Sequence, residues 1–432
     1  MSKRPDRRDF LRAGTAALAA PFFTGRVLGA NDRVRVGFIG MGKMGRDNLK
    51  IAMKQGVVEP VVVCDVYERN LNWASAIAHG QAKASRDFRE VLANPSIDAV
   101  CISTPDHWHA YMMVEACKAG KDVLVEKPIS VTVEEGVKMV EAARKYSRVV
   151  QADTWQRSTG HFHQAVDIVK SGQLGKIAMV HTWNYGNDKQ QGMGNPPDGD
   201  PPAGLDWDMW LGPAPNRPFN ANRFGVDPDD RYFSSFRWFW DYAGGMMTDW
   251  GIHWLDIVQM AMGEEMPKSV VATGGNYWLT DNRETPDTLQ VAYEYPGGFI
   301  ATYENRNSNS QSMFQKGGGI LFCGQKATMF LDRSEFRILP EQGSDVKAQQ
   351  VKAFDDGGKM HWANFLECMK TRQRPNSDIE LCQRSTTTCL LGNVALRSKT
   401  RLEFDASTWK VSQVEAQPFL TREYREPWKL EV

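Results

Sequence analysis

Asp249 and His253 stand four residues apart in Thr248 to Met262, a stretch with helical character. That spacing sets both side chains on one helical face. An imidazole titrates near neutral pH, so His253 can take a proton from a hydroxyl and give it back. Oxidising a secondary alcohol needs such a group while hydride leaves the carbon, and a cation beside the oxygen steadies the developing alkoxide. Lys127 has the right type for that cation. It follows the buried-strand pattern Val123-Leu124-Val125 and precedes Pro128, which biases it away from the α region, so that it leaves the strand extended. Asp249 could hold the ring or the substrate in position. Each residue also has a plainer reading: a helix-start aspartate caps or meets the dipole, a lone histidine packs, and a lysine faces water.

Such an oxidation needs an electron acceptor, and the chain offers it a place. The apolar run Val34, Val36, Phe38, Ile39 leads directly into Gly40-Met41-Gly42-Lys43-Met44-Gly45, and a helical pattern follows to Gln55. In such a turn Gly40 allows the tight bend, Gly42 lets backbone N–H groups approach a pyrophosphate, and Gly45 lets helix and strand pack closely. The next apolar run, Val61-Val62-Val63-Cys64, ends in Asp65, the distance on at which a carboxylate accepts a ribose 2′-OH. Asp65 favours NAD, while nearby Arg69 could meet the 2′-phosphate of NADP.

Strand and helix patterns alternate from there to Val150, which predicts βαβ units and a parallel sheet. Leu71 to His79 and Tyr111 to Ala119 read as helices, Asp98 to Ile102 as a buried strand, and Thr104 to His109 as a turn. Thr132 with Glu135 makes a capping box for a helix to about Arg144. Beyond Phe162 to Val169, another helical pattern, the runs Ile177 to Trp183, Val270 to Thr273, Leu289 to Tyr295, Phe299 to Tyr303, Ile320 to Phe322 and Met329 to Leu331 read as strands. Turns such as Pro296-Gly297-Gly298 predict hairpins between them. The expected fold is therefore α/β, then α+β: a Rossmann domain over 31–155, a second domain over 156–400 with a large open, mainly antiparallel sheet, and a tail over 401–432. Within the second domain, 186–244 reads as a folded cover rich in Pro, Gly, Asp and Trp, and His361 to Lys370 and Ile379 to Leu396 as late helices returning to the first domain.

At 432 residues, two domains are natural. With 52 basic and 52 acidic residues, no global field recruits nucleic acid or an anionic membrane. Seven cysteines without a C-x-x-C pair read as buried thiols, not a disulfide framework. Half of the 14 tryptophans fall between Trp183 and Trp254, where they either pack the core or stack on the C–H faces of a sugar. His107-x-His109 and His161-x-His163 invite a metal, but neither comes with a cysteine or carboxylate set at ligand spacing, so no metal site is expected.

The glycine turn, Thr104-Pro105 followed by His109, Glu126-Lys127-Pro128, Gln156-Arg157-Ser158, and Gly244 to His253 with Asp249-x-x-x-His253 together resemble the Gfo/Idh/MocA oxidoreductases, the family of glucose-fructose oxidoreductase and inositol 2-dehydrogenase. The resemblance implies Lys127, Asp249 and His253 as the catalytic group, with His253 as acid/base. It implies cofactor contacts from Gly40, Gly42, Lys43, Met44, Gly45, Asp65, Thr104, Pro105, Asp106, His109, Glu126, Lys127 and Gln156, with Asp106 to His109 near the nicotinamide or its ribose. Asp153 stands where relatives commonly carry glycine. The resemblance further implies a carbohydrate or glycoside substrate and a homo-oligomer, a dimer or tetramer.

Residues 1–30 have the layout of an export signal: Arg7-Arg8-Asp9-Phe10-Leu11, an apolar run from Ala13 to Phe23 too short to span a bilayer, and Gly29-Ala30. The stretch resembles a twin-arginine signal, which implies a periplasmic or otherwise exported protein. No pool of nicotinamide cofactor exists there to exchange with, so the dinucleotide is expected to stay bound. Two enzymatic outcomes fit: oxidation of a sugar, polyol or glycoside, or redox-neutral cleavage of a glycoside through a keto-sugar. A ligand-binding module on the same fold is the non-enzymatic alternative.

Overall fold

The computed structural model describes residues 33–225, 234–263 and 265–432. The stretch read as an export signal lies outside them.

Six strands, β1 (Val34–Ile39), β2 (Val58–Cys64), β3 (Lys83–Ser85), β4 (Ala99–Ile102), β5 (Asp122–Val125) and β6 (Val150–Ala152), form a parallel sheet in the order β3-β2-β1-β4-β5-β6. β4 and β5 are buried along their whole length, and apart from Asp122 at the start of β5 their residues are apolar. Strand order reverses between β1 and β4. The crevice beyond the carboxyl ends of such a pair is where doubly wound sheets receive a dinucleotide.

The helix expected from Tyr111 begins earlier and spans Asp106–Lys118, so Asp106 to His109 form its first turn and not a separate one. Pro105 stands just before it, where a missing N–H leaves no helical bond unmade, and the Asp106 carboxylate suits the positive end. The Thr132–Glu135 capping box opens the helix Val133–Lys145.

Among the described residues the second sheet contains ten strands. They are β7 (Ile177–Tyr185), β10 (Ser269–Gly275), β11 (Thr288–Tyr295), β12 (Phe299–Arg306), β13 (Gly318–Gly324), β14 (Ala327–Leu331), β15 (Glu335–Pro340), β16 (Gln349–Lys352), β17 (Leu402–Asp405) and β18 (Lys410–Val411). β8 (Asp198–Gly199) and β9 (Phe219–Asn220) pair as a separate ribbon in the cover. The order of the large sheet is β16-β15-β14-β13-β7-β12-β11-β10-β17-β18, and β7 with β12 is its one parallel pairing among the described residues. β17 and β18 come from the tail, which extends this sheet along β10.

The main core lies between this sheet and the helices Gly160–Lys170, Gly251–Met262 and Ile379–Ser398. Inside it the Arg157 guanidinium pairs with Asp256 at 2.8 Å, both side chains almost wholly buried. The cover has its own aromatic cluster of Trp207 stacked on Trp210 with Phe224 and Tyr242, while Trp183 and Trp254 belong to cores beneath it. The helix Gly357–Thr371 does return to the first domain. Trp362, Phe365 and Leu366 pack with Val34, Phe38 and Leu49, and the Trp362 indole donates to Asn48 Oδ1 at 2.9 Å. From the tail, Trp428 packs edge-on against Trp108 and Tyr111. Among the described residues no helix is long and apolar enough to cross a membrane.

Candidate active site

The glycine turn meets three different demands. Gly40 has φ +84°, and a Cβ there would lie 2.6 Å from the backbone of Ser103 and Thr104. A Cβ on Gly45 would lie 1.8 Å from the Gly40 carbonyl oxygen. Both glycines are therefore required by the fold. A Cβ on Gly42 would meet nothing within 4 Å, so the fold does not need that glycine. Gly42 opens the helix Lys43–Met53 with no side-chain cap, and its open space faces the crevice. An uncapped helix start beside an open glycine suits a pyrophosphate. Asp65, at the end of β2, lines the same crevice; its carboxylate accepts from the N–H groups of Met41 (2.6 Å) and Tyr67 (2.8 Å) and from Asn70 (3.2 Å). Burial raises its pKa against those donors. Arg69 stacks over Tyr67 and Trp73. This half of the cleft fits the dinucleotide expected from the sequence.

The cleft continues past the ends of β4 and β5 to the second domain. Gly40, Gly42, Lys43, Met44, Asp65, Thr104, Pro105, Asp106, His109, Glu126, Lys127, Asp249 and His253 all line it. Lys127 follows β5, with a cis bond to Pro128, and its Nζ donates to Asp249 Oδ1 and to the Asp249 carbonyl oxygen, both at 2.9 Å. That carbonyl is free because the helix predicted from Thr248 is in fact two, Gly245–Asp249 and Gly251–Met262, broken at Trp250. The His253 N–H turns to the Trp250 carbonyl at 3.0 Å, the i→i−3 bond, and leaves the i−4 carbonyl of Asp249 to the lysine. Two of the three ammonium donors are thereby used and one remains for a ligand.

Asp249 also meets Arg237 at 3.3 Å. Burial pushes its carboxyl up, but Arg237 and Lys127 outweigh that and hold it at about 2. Asp106 shows the opposite balance, with burial raising its carboxyl to about 7 despite Lys127. His253 lines the cleft with Nδ1 buried and unpartnered, so Nε2 is the ring nitrogen left to meet a ligand. Burial, reinforced by Arg333 and Lys127, holds the imidazole well below the ordinary histidine range, which keeps it neutral and able to accept a proton.

His109 is pinned rather than free, Nδ1 lying 2.7 Å from the Pro128 carbonyl oxygen and Nε2 2.8 Å from that of Thr104. His107 is buried, 3.0 Å from the Trp210 carbonyl oxygen, and His161 is 3.0 Å from that of Asp332. Glu126 and the unusual Asp153 share the Asn48 amide at 3.3 and 3.0 Å, and burial together with Asp153 pushes the Glu126 carboxyl well up. Gln156, expected among the cofactor contacts, is not among the residues that line the cleft. It is buried behind the wall, donating to the His253 carbonyl at 2.9 Å and accepting from Arg333 Nε at 3.0 Å. Gly45 likewise lies under the turn.

Trp155, Arg237, Trp250 and Arg333 also line the cleft near Lys127, Asp249 and His253, and none of them is marked as a lining residue in the sequence analysis. Arg237 follows the segment 226–233 and Arg333 lies between β14 and β15, places where no local pattern marks a ligand-facing side chain. Trp155 stands beside Gln156-Arg157-Ser158, which was a usable signal.

A Rossmann domain whose crevice is completed by a lysine, an aspartate and a histidine from two domains defines a dinucleotide-dependent oxidoreductase architecture. Residues 34–154 match the oxidoreductase family's NAD-binding Rossmann fold, and residues 166–430 match its C-terminal alpha/beta domain; the chain belongs to the Gfo/Idh/MocA oxidoreductase family. It is 24% identical over 267 residues to the rhizopine catabolism protein MocA of Rhizobium meliloti, covering 62% of this chain and 69% of that protein. To the inositol 2-dehydrogenase of Salmonella typhimurium it is 30% identical over 154 residues, 35% of this chain and 46% of the relative. Its fold is similar to that of a levoglucosan dehydrogenase solved with NADH and levoglucosan, with a TM-score of 0.65 at 15% identity over 86% of this chain and 99% of that one.

Proposed function

We propose that the protein is an exported oxidoreductase of a sugar, polyol or glycoside that removes hydride from a secondary alcohol and retains NAD through its cycle. The convergence of Lys127, Asp249 and His253 on the crevice of the glycine turn carries this reading. Bound NAD supplies the acceptor for the hydride, which leaves the carbinol carbon with both electrons of its C–H bond. Neutral His253 takes the hydroxyl proton at Nε2 as the C=O bond forms. The remaining N–H of the Lys127 ammonium faces the oxygen and stabilises its growing charge. Asp249 keeps the ammonium in place. Asp65 supports NAD over NADP, because a carboxylate at that point repels a 2′-phosphate. The apolar, two-arginine start of the chain supports export, and export supports a retained cofactor. Pairing through the open sheet into a homo-oligomer is part of the proposal.

Mass spectrometry of the small molecules released on denaturation, followed by turnover of a panel of sugars, polyols and glycosides, tests it. The expected result is one NAD per chain and a keto product from at least one compound. Protein with no nicotinamide, and no reduction of added NAD or NADP by any member, would refute it. Release of free aglycone with no net change in nicotinamide absorbance would move the reaction to redox-neutral cleavage.

A further inference from the structure

The cations of the catalytic end are not all matched. Lys127 and Arg237 both pair with Asp249. Arg333, reaching in from the turn between β14 and β15, has no ion-pair partner among the described residues, and its one hydrogen bond there runs from Nε to Gln156. The guanidinium carbon lies 4.8 Å from the Trp155 ring centre and 4.5 Å from that of Trp250, so two indoles flank it. Burial lowers its pKa to about 10, which still leaves it charged at neutral pH. Its terminal nitrogens accordingly carry donors into the cleft with no acceptor among the described residues. Gln156 binds both Arg333 and the His253 backbone, so the guanidinium is held in fixed relation to the residue that receives the proton.

A guanidinium held by Nε and flanked by aromatic faces keeps its planar fork for an incoming group, and a carboxylate of a sugar matches that fork bidentately. Asp249 and Asp153 attract this cation from a distance, but a neutral sugar would leave its terminal donors without a charged acceptor, and an anionic one supplies it. We propose that the substrate is a sugar acid, a uronate or aldonate free or at the end of a glycoside, whose carboxylate is received by Arg333 while its secondary hydroxyl meets Lys127 and His253. This rests on the oxidoreductase reading for the hydroxyl end only; the carboxylate end stands on Arg333.

The experiment titrates the protein with its cofactor in place against glucuronate and glucose, galacturonate and galactose, and gluconate and glucitol. Binding is followed by calorimetry and turnover by nicotinamide absorbance, in wild type, Arg333→Met and Arg333→Lys. In at least one pair the acid should bind about 100-fold tighter than its neutral congener, and Arg333→Met should lower that ratio about 100-fold. Arg333→Lys, which keeps the charge and loses the fork, should lower it less. If Arg333→Met does not fold, Arg333→Lys and Arg333→Gln carry the comparison. Acids bound no better than neutral sugars, or a variant that weakens both alike, would overturn the proposal. Acids bound through Arg333 without any hydride transfer would uphold it and refute the oxidoreductase reading, and neutral sugars oxidised regardless of Arg333 would do the reverse.

Discussion

Asp249 is the anion on which two cations of the cleft depend, and Asp249→Asn measures how much. Oδ1 accepts from Lys127 Nζ at 2.9 Å, and Oδ2 lies 3.3 Å from Arg237 Nε. Burial alone would raise the carboxyl, yet Arg237 and Lys127 bring it from 3.8 to about 2. At roughly 1.4 kcal/mol per pH unit, that difference corresponds to about 2 kcal/mol of folding free energy. The Lys127 and Asp249 side chains are only 14% and 19% exposed, so solvent screens little of it. Because the folded pKa lies below the unfolded one, the contribution is fully present above about pH 4 and fades as the pH falls toward 2. Asparagine keeps the shape and an acceptor oxygen but leaves Lys127 and Arg237 without their shared counter-charge. Urea unfolding followed by tryptophan fluorescence should find the variant about 2 kcal/mol less stable, by the same margin from pH 8 to pH 5. A variant as stable as wild type at pH 7, or a gap already closing between pH 8 and pH 6, would refute the reasoning.

Gly42→Ala should leave the melting temperature nearly unchanged and weaken NAD binding at least about 10-fold by calorimetry, since its Cβ meets open cleft. Gly45→Ala, with its Cβ 1.8 Å from a carbonyl oxygen, should instead lower stability by roughly 3 kcal/mol in chemical denaturation. His253→Asn should reduce kcat by about 10²- to 10⁴-fold. With the imidazole held well below its ordinary range, wild-type kcat/KM for oxidation should be flat through neutral pH and fall only on the acid side, where the base is protonated; a profile that climbs through pH 7 would contradict this. Arg157→Met strands a buried Asp256 and should cost about 3–5 kcal/mol in urea unfolding, most of it recovered when Asp256 is replaced by leucine as well.

What could be read without coordinates was local. The glycine turn, Asp65 at the end of the next strand, and Lys127 between a buried strand and a proline declare themselves because each demand is met within a few residues. The first six strands of the large sheet were equally plain, with strand-like runs punctuated by turn glycines. β15 is not legible as a strand, although Phe336 and Ile338 do point inward; its run is short and interrupted by charge. The early start of the helix at Asp106 was hidden by two histidines and a tryptophan that looked like turn chemistry. The break at Trp250 has no proline to announce it, and only the lysine arriving from the other domain shows what the freed carbonyl is for. Arg237 and Arg333 were invisible for the same reason, since their meaning lies in partners brought up by the fold.

The docking of the helix Gly357–Thr371 onto the first domain also has a bearing on how the molecule is made. The ribosome releases the strands of the nucleotide half early, but the indole that bonds Asn48 emerges some three hundred residues later. Until then the flank around Phe38 and Leu49 stays bare, and the growing chain must be shielded from its neighbours. Cutting the gene after the sixth strand would therefore yield a fragment with an open oily side. A self-sufficient nucleotide half would have to carry that late helix with it, by rejoining the chain in a different order.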